Sequence, residues 1–154
     1  MGKYSESSDC SDLGIGEEKW QLKGKVVLIV TVNADQRGIG ATTALTLAYF
    51  RPRKLILACR NMDNGKAAVE EILSTVPKVD PESIVLKKID LSSLTSIKLF
   101  AEDFLKEEPE LHVLIANAAV IGTRLRKLTP EGNEISYATN HLGIYFFTFH
   151  HRYL

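Results

Sequence analysis

From Lys25 onward, short apolar runs alternate with longer segments whose apolar residues recur at helical spacing. That alternation is the signature of repeated strand–helix–strand units around a parallel sheet. It predicts strands over 25–31, 54–59, 83–89 and 111–116, and helices over 38–50, 62–76, 93–107 and 131–152. Val69, Ile72, Leu73 and Val76 form one helical stripe, and Leu94, Ile97, Ala101, Phe104 and Leu105 form another; both are expected to face the sheet. Asn61 is placed to cap the second helix, and Ser92 or Ser93 the third. Pro52, Pro77 and Pro81 fall between elements.

The first and last predicted strands, Val26-Val27-Leu28-Ile29-Val30 and Val113-Leu114-Ile115-Ala116, are continuous apolar runs rather than alternating ones. Such runs suit strands covered on both faces. The fold class that follows is α/β, a partial doubly wound (Rossmann) parallel sheet of about four strands with flanking helices. In the common strand order 3-2-1-4-5-6, a chain with four strands leaves the fourth as an exposed edge, so the sequence reads as incomplete. The expected organisation is a flexible leader over 1–20, rich in Ser, Asp, Glu and Gly, then a truncated dinucleotide-binding domain over 21–154, with Trp20 marking where packing starts.

Composition narrows the functions. Nineteen Lys plus Arg balance nineteen Asp plus Glu, so no excess positive field attracts phosphate backbones or anionic lipid headgroups, and no nucleic-acid partner is expected. Cys10 and Cys59 form neither a disulfide framework nor a metal-ligand pattern, which points to a reducing, cytoplasmic setting. The longest apolar stretch, Val26 to Val32, is far short of the ~20 residues of a membrane span. The opening Met1-Gly2-Lys3 is like a myristoylation site, but that pattern wants Ser or Thr where Glu6 stands.

Candidate chemistry begins after the first strand, where Thr31 leads through Arg37 into Gly38-Ile39-Gly40 at a helix start. Glycines there let backbone approach a pyrophosphate, and the helix N-terminus offers free N–H groups; a tight turn without a ligand is the alternative. The second strand ends in Cys59-Arg60-Asn61, without the acidic residue that holds a ribose 2′-hydroxyl. Arg60 is suited instead to a 2′-phosphate, which favours NADP(H), although a solvated surface arginine would read the same way. His150 and His151 are adjacent on a predicted helix and diverge, so no metal site is expected.

Gly38-Ile39-Gly40, Leu57-Ala58-Cys59-Arg60-Asn61, Asp90-Leu91-Ser92, Leu114-Ile115-Ala116-Asn117-Ala118-Ala119 and Asn140-His141-Leu142-Gly143 stand in order and spacing. Together, over about 24–154, they resemble the short-chain dehydrogenase/reductase family, most of all its retinol-dehydrogenase and WW-domain-oxidoreductase branch. The resemblance implies that Asp90 and Leu91 line an adenine pocket and that Asn117, Ala118 and Ala119 shape the cofactor cleft. It also implies that Asn140 helps hold a water in a proton relay, against the plainer reading of a surface polar residue. The implied activity is NADP(H)-dependent oxidation or reduction of a lipophilic alcohol or carbonyl such as a retinoid.

Three departures stand against full activity. The family's first glycine is replaced by Val32 or Ala34, depending on the direction of counting. Its Asn-Ala-Gly has become Asn117-Ala118-Ala119, with an added methyl. The family's acid/base Tyr, followed four residues later by Lys, has no counterpart: Tyr49 is followed by Arg53, Tyr137 by His141 and Tyr145 by Phe149, while Tyr153 has no residue at that spacing. The competing readings are a family enzyme, a non-catalytic chain that binds nucleotide or pairs with a longer relative, and a product that does not fold stably. Tyr145, Phe146, Phe147, Phe149 and Tyr153 make the last helix rich in aromatics, so self-association is expected there; the resemblance implies a homo- or heterodimer through 131–152.

Overall fold

The computed structural model describes residues 22–31, 38–121 and 125–150. Its elements are β1 (Val26–Thr31), α1 (Ile39–Tyr49), β2 (Lys54–Cys59), α2 (Met62–Thr75), a 3-10 turn (Pro81–Ser83), β3 (Ile84–Lys88), α3 (Leu94–Glu107) and β4 (Val113–Ala116). A last helical segment follows, in which α4 (Ile135–Tyr137) passes through a π-helical stretch (Ala138–Gly143) into α5 (Ile144–His150). The strands form one parallel sheet in the order β3-β2-β1-β4. This is the expected doubly wound half-sheet.

β1 runs through the centre, and Val26 to Val30 are fully buried. Its side chains alternate between two cores. Val27 and Ile29 join Ala41, Ala44 and Ala48 of α1 and Ala68 and Ile72 of α2 on one face. Val26, Leu28 and Val30 join Ile97, Phe100 and Phe104 of α3, with Phe147 of α5, on the other. Each large apolar side chain so buried contributes about 1.5–3 kcal/mol.

The helical stripes need correction. α2 faces the sheet through Gly65, Ala68 and Ile72, while Leu73 is exposed; α3 faces it through Ile97, Phe100, Ala101 and Phe104, while Leu94 and Leu105 are exposed. A helix resting on a sheet buries an i, i+3, i+4, i+7 arc, and leucines a position outside that arc turn to solvent. α2 comes so close that a methyl on Gly65 would meet Leu86 and Cys59.

β4 also differs from its apolar reading. It pairs with β1 and, among the described residues, with no other strand, so Val113, Leu114 and Ile115 are half-buried and Ala116 is exposed. The last helix starts at Ile135 rather than 131, because 127–135 form a turn: Thr129 N–H donates to the Asn133 carbonyl at 2.8 Å and Ile135 N–H to that of Lys127 at 2.9 Å. The Glu134 carboxylate then caps α4. The expected ends at 151 and 152 lie outside the described residues, as do the leader, Trp20 and Tyr153.

The aromatic-rich helix is only partly a free surface. Phe147 is fully buried against Phe100, ring centroids 5.6 Å apart, and Phe146 packs on the same core. Tyr145 and Phe149 remain exposed, stacked on each other at 6.1 Å.

Candidate nucleotide-binding site

The parallel strands all end at one sheet edge, and the order reverses between β1 and β4. In open α/β sheets the crevice outside the strand ends at such a reversal is where ligands bind. Among the described residues, the candidates Gly38, Arg60, Asn61, Asp90, Leu91 and Asn117 follow strand ends along this edge, while Asn140 lies in the last helical segment.

α1 begins at Gly38, in extended backbone, whose carbonyl accepts from Ala41 and Thr42 N–H at 3.0 and 3.1 Å. Among the described residues no side chain caps this helix, and no acidic residue stands in its first turn. Its neighbours differ: Asn61 Oδ1 accepts from Asp63 and Asn64 N–H to cap α2, and Ser93 Oγ accepts from Ser96 N–H to cap α3. Ser93, not Ser92, is thus the third helix's cap. Of these three helices, α1 alone lacks a side-chain cap among the described residues, and a free helix start favours an anion. Gly40 and Ala41 are buried, seating the first turn on the sheet, while Ile39 is exposed. Arg37, Val32 and Ala34 lie outside the described residues, as does the side chain of Thr31, whose backbone pairs with Cys59.

At the end of β2, Cys59 is buried and its thiol donates to the Asn61 carbonyl at 3.1 Å. Burial pushes that thiol's pKa up, partly offset by a backbone hydrogen bond from Gly65. Arg60, next in sequence, is exposed. The Asn61 side-chain oxygen is committed to its cap.

After β3, Asp90 Oδ1 accepts from both Ser92 N–H (2.9 Å) and Ser92 Oγ–H (2.6 Å), and Asp90 N–H donates to Ser96 Oγ at 2.9 Å. The turn is therefore rigidly built. The Leu91 side chain is buried in the core, so only its backbone can border a ligand.

After β4, Asn117 N–H donates to the Val30 carbonyl at 3.1 Å, which holds this turn beside the end of β1. Asn117 is half-buried, Ala119 is exposed and Ala118 is buried in the core. Asn140 is tied to this turn: its Nδ2 donates to the Val120 carbonyl at 2.8 Å and its Oδ1 accepts from Val120 N–H at 2.7 Å. It sits within the π-helical stretch, where the widened turn re-aims side chains. Gly143, which sequence reasoning did not single out, lets this helix pass the Leu91 backbone, where a methyl would collide with the Leu91 carbonyl. Its place in Asn-His-Leu-Gly was the available signal. Among the described residues no group of His, Cys, Asp and Glu could hold a metal ion, and no helix is long and apolar enough to cross a membrane.

The family model for short chain dehydrogenase matches residues 25–150. Human retinol dehydrogenase 11 is 39% identical over 135 residues, covering 88% of this chain and 40% of that protein. Human retinol dehydrogenase 12 is 40% identical over 138 residues, with the same coverage. The chicken (Gallus gallus) WW domain-containing oxidoreductase is 38% identical over 144 residues, 94% of this chain and 32% of that protein. The chain thus spans about two fifths or less of the length of these relatives. Among solved structures, a metagenomic short-chain oxidoreductase in complex with NADP superposes with a TM-score of 0.64 at 25% identity, over 83% of this chain and 55% of that one. Menthone neomenthol reductase from Mentha piperita shares the fold, with a TM-score of 0.63 at 17% identity, over 83% and 55%. Half-sheet, uncapped α1 and matched motifs converge: this chain belongs to the short-chain dehydrogenase family.

Proposed function

We propose that this chain is the NADP(H)-binding part of an oxidoreductase for a lipophilic alcohol or carbonyl such as a retinoid, and that by itself it holds nucleotide without turning substrate over. The observation that carries the nucleotide reading is the start of α1, without a side-chain cap among the described residues and set where the strand order reverses. The N–H groups around Gly38, Ile39 and Gly40 would receive the pyrophosphate, joined by Arg37 and Thr31. Arg60 would pair with the 2′-phosphate, a choice supported by the NADP-bound neighbour. Asp90 and the Leu91 backbone would border the adenine, with Asn61 beside them. Asn117, Ala118 and Ala119 would form the wall toward the nicotinamide, held by Asn140. When bound, NADP(H) supplies the hydride exchange that interconverts alcohol and carbonyl.

The lack of turnover rests on the residues present: no tyrosine of this chain is followed four positions later by lysine. Positioning without a proton donor leaves most of the barrier in place. That observation also favours a second reading, a non-catalytic partner that dimerises through the last helix with a longer relative.

Calorimetric titration with NADP and NAD tests the assignment. The parent should prefer NADP, and Arg60→Ala should erase a preference worth about 1.5–3 kcal/mol, the range of charge-assisted hydrogen bonds. Equal affinity for both nucleotides in the parent refutes the role of Arg60.

A further inference from the structure

Charges that cancel over the whole chain do not cancel along the fold. At the sheet edge opposite the nucleotide site, Lys54 N–H donates to the Lys25 carbonyl at 3.3 Å and Lys25 N–H to that of Leu22 at 2.8 Å. Lys54 also lies in register with Val26. The turns into β1 and β2 therefore meet, and they bring together Lys23, Lys25, Arg51, Arg53 and Lys54. The carboxylates beside them are Glu108 and Glu110. Glu108 is buried and already engaged, bonded by Lys54 Nζ with Arg53 Nη2 3.8 Å away, and Glu110 stands 3.8 Å from His112 Nε2. Lys23, Lys25 and Arg51 are exposed and make no ion pair among the described residues. Farther along, Lys78 is followed in sequence by the acidic Asp80 and Glu82.

Arg51 and Lys78 follow the C-terminal ends of α1 and α2, where the helix dipole favours cations. That explanation does not reach Lys23 and Lys25, which precede a strand. Tyr49, the last residue of α1, is 44% exposed at the same edge. Two grooves lie away from this edge, on the outer face of α1 around Ile39 and Thr43 and beside α3 around Lys88 and Leu99.

We propose that this basic edge docks on an anionic phospholipid surface. Cations on short turns, with an aromatic among them, suit a plane of headgroups: the charges reach the phosphates while the ring rests at headgroup level. A nucleic-acid strand would call for a channel to track its backbone. Docked this way, the edge that carries Gly38, Arg60 and Asn117 faces away from the lipid and stays open.

The test is sedimentation of the full chain with phosphatidylcholine vesicles, with and without about 30% phosphatidylserine. The chain should bind only the anionic vesicles, and less as salt rises. Lys23→Gln, Lys25→Gln and Arg51→Asn together should weaken binding by roughly a hundredfold. Asn at 51 tolerates the left-handed backbone found there (φ 47°). A control with the same loss of charge elsewhere, Lys66→Gln with Lys88→Gln and Lys98→Gln, should bind as the parent does. The single variants Lys23→Gln and Lys25→Gln should each give a partial loss, which keeps the test open if the triple variant unfolds. The proposal is overturned if the parent ignores phosphatidylserine, if the triple variant binds like the parent, if the control loses as much, or if duplex DNA binds this edge in preference to the vesicles.

Discussion

The Asn140 side chain bonds both backbone groups of Val120, donating to its carbonyl at 2.8 Å and accepting from its N–H at 2.7 Å. One amide thus ties the π-helical stretch to the turn that follows β4. Asn140→Ala should cost about 1–2 kcal/mol in urea unfolding, since two solvent-accessible bonds fall at the low end of about 0.5–1.5 each. The Val120 amide should exchange with solvent faster than in the parent. Unchanged exchange at Val120 would show that the turn holds without Asn140.

Gly143 makes a sharper test of the same junction. Gly143→Ala forces a methyl into the Leu91 carbonyl, and that is backbone, which cannot rotate away. A loss of about 1–3 kcal/mol is expected, the usual range for overpacking, despite the better helix propensity of alanine. A denaturation midpoint equal to or above the parent's would contradict the close approach.

Glu134 gives the chain an acid-sensitive cap. Backbone N–H groups of Ser136 and Tyr137 donate to its carboxylate and hold its pKa below the usual carboxylate value of 4.5. A folded pKa below the unfolded one means that the cap's contribution is complete above about 4.5 and disappears as pH falls through the folded value. Parent and Glu134→Gln should therefore differ in thermal midpoint near neutrality and converge in acid. A difference that persists in acid would assign the cap to something other than the ionised carboxylate.

The aromatics of α5 should separate into two classes. Phe147→Ala removes a fully buried ring and should cost about 3–5 kcal/mol. Tyr145→Gln with Phe149→Gln should leave unfolding nearly unchanged and raise the monomer fraction in sedimentation velocity. If the parent is monomeric at high concentration, the dimer reading for this helix fails.

Much of this protein was decided by the order of its residues. The unbroken apolar run from Val26 to Val30 suits a strand covered on both sides and is one, whereas the like run at Val113–Ala116 is half-buried at the sheet's edge; the caps Asn61 and Ser93 act within three residues of themselves. Gly38 and Arg60 could be picked out for the same reason, because a strand that ends in a helix start has one geometry. Local periodicity does not tell which arc of each helix rests on the sheet: Leu73, Leu94 and Leu105 fit the apolar stripes yet are exposed, while Phe100, outside them, is buried.

What only the tertiary structure decided are relations between distant segments. Val120 as the partner of Asn140, Leu91 as the obstacle beside Gly143, and Phe147 as a core ring against Phe100 each join residues with no shared local signal. Charge shows the same division. The sequence determined the total, and that total is balanced. A parallel sheet then set every strand's beginning on one edge, gathering Lys23, Lys25 and Arg51 while burying Glu108, and sums along a chain carry no record of direction in space.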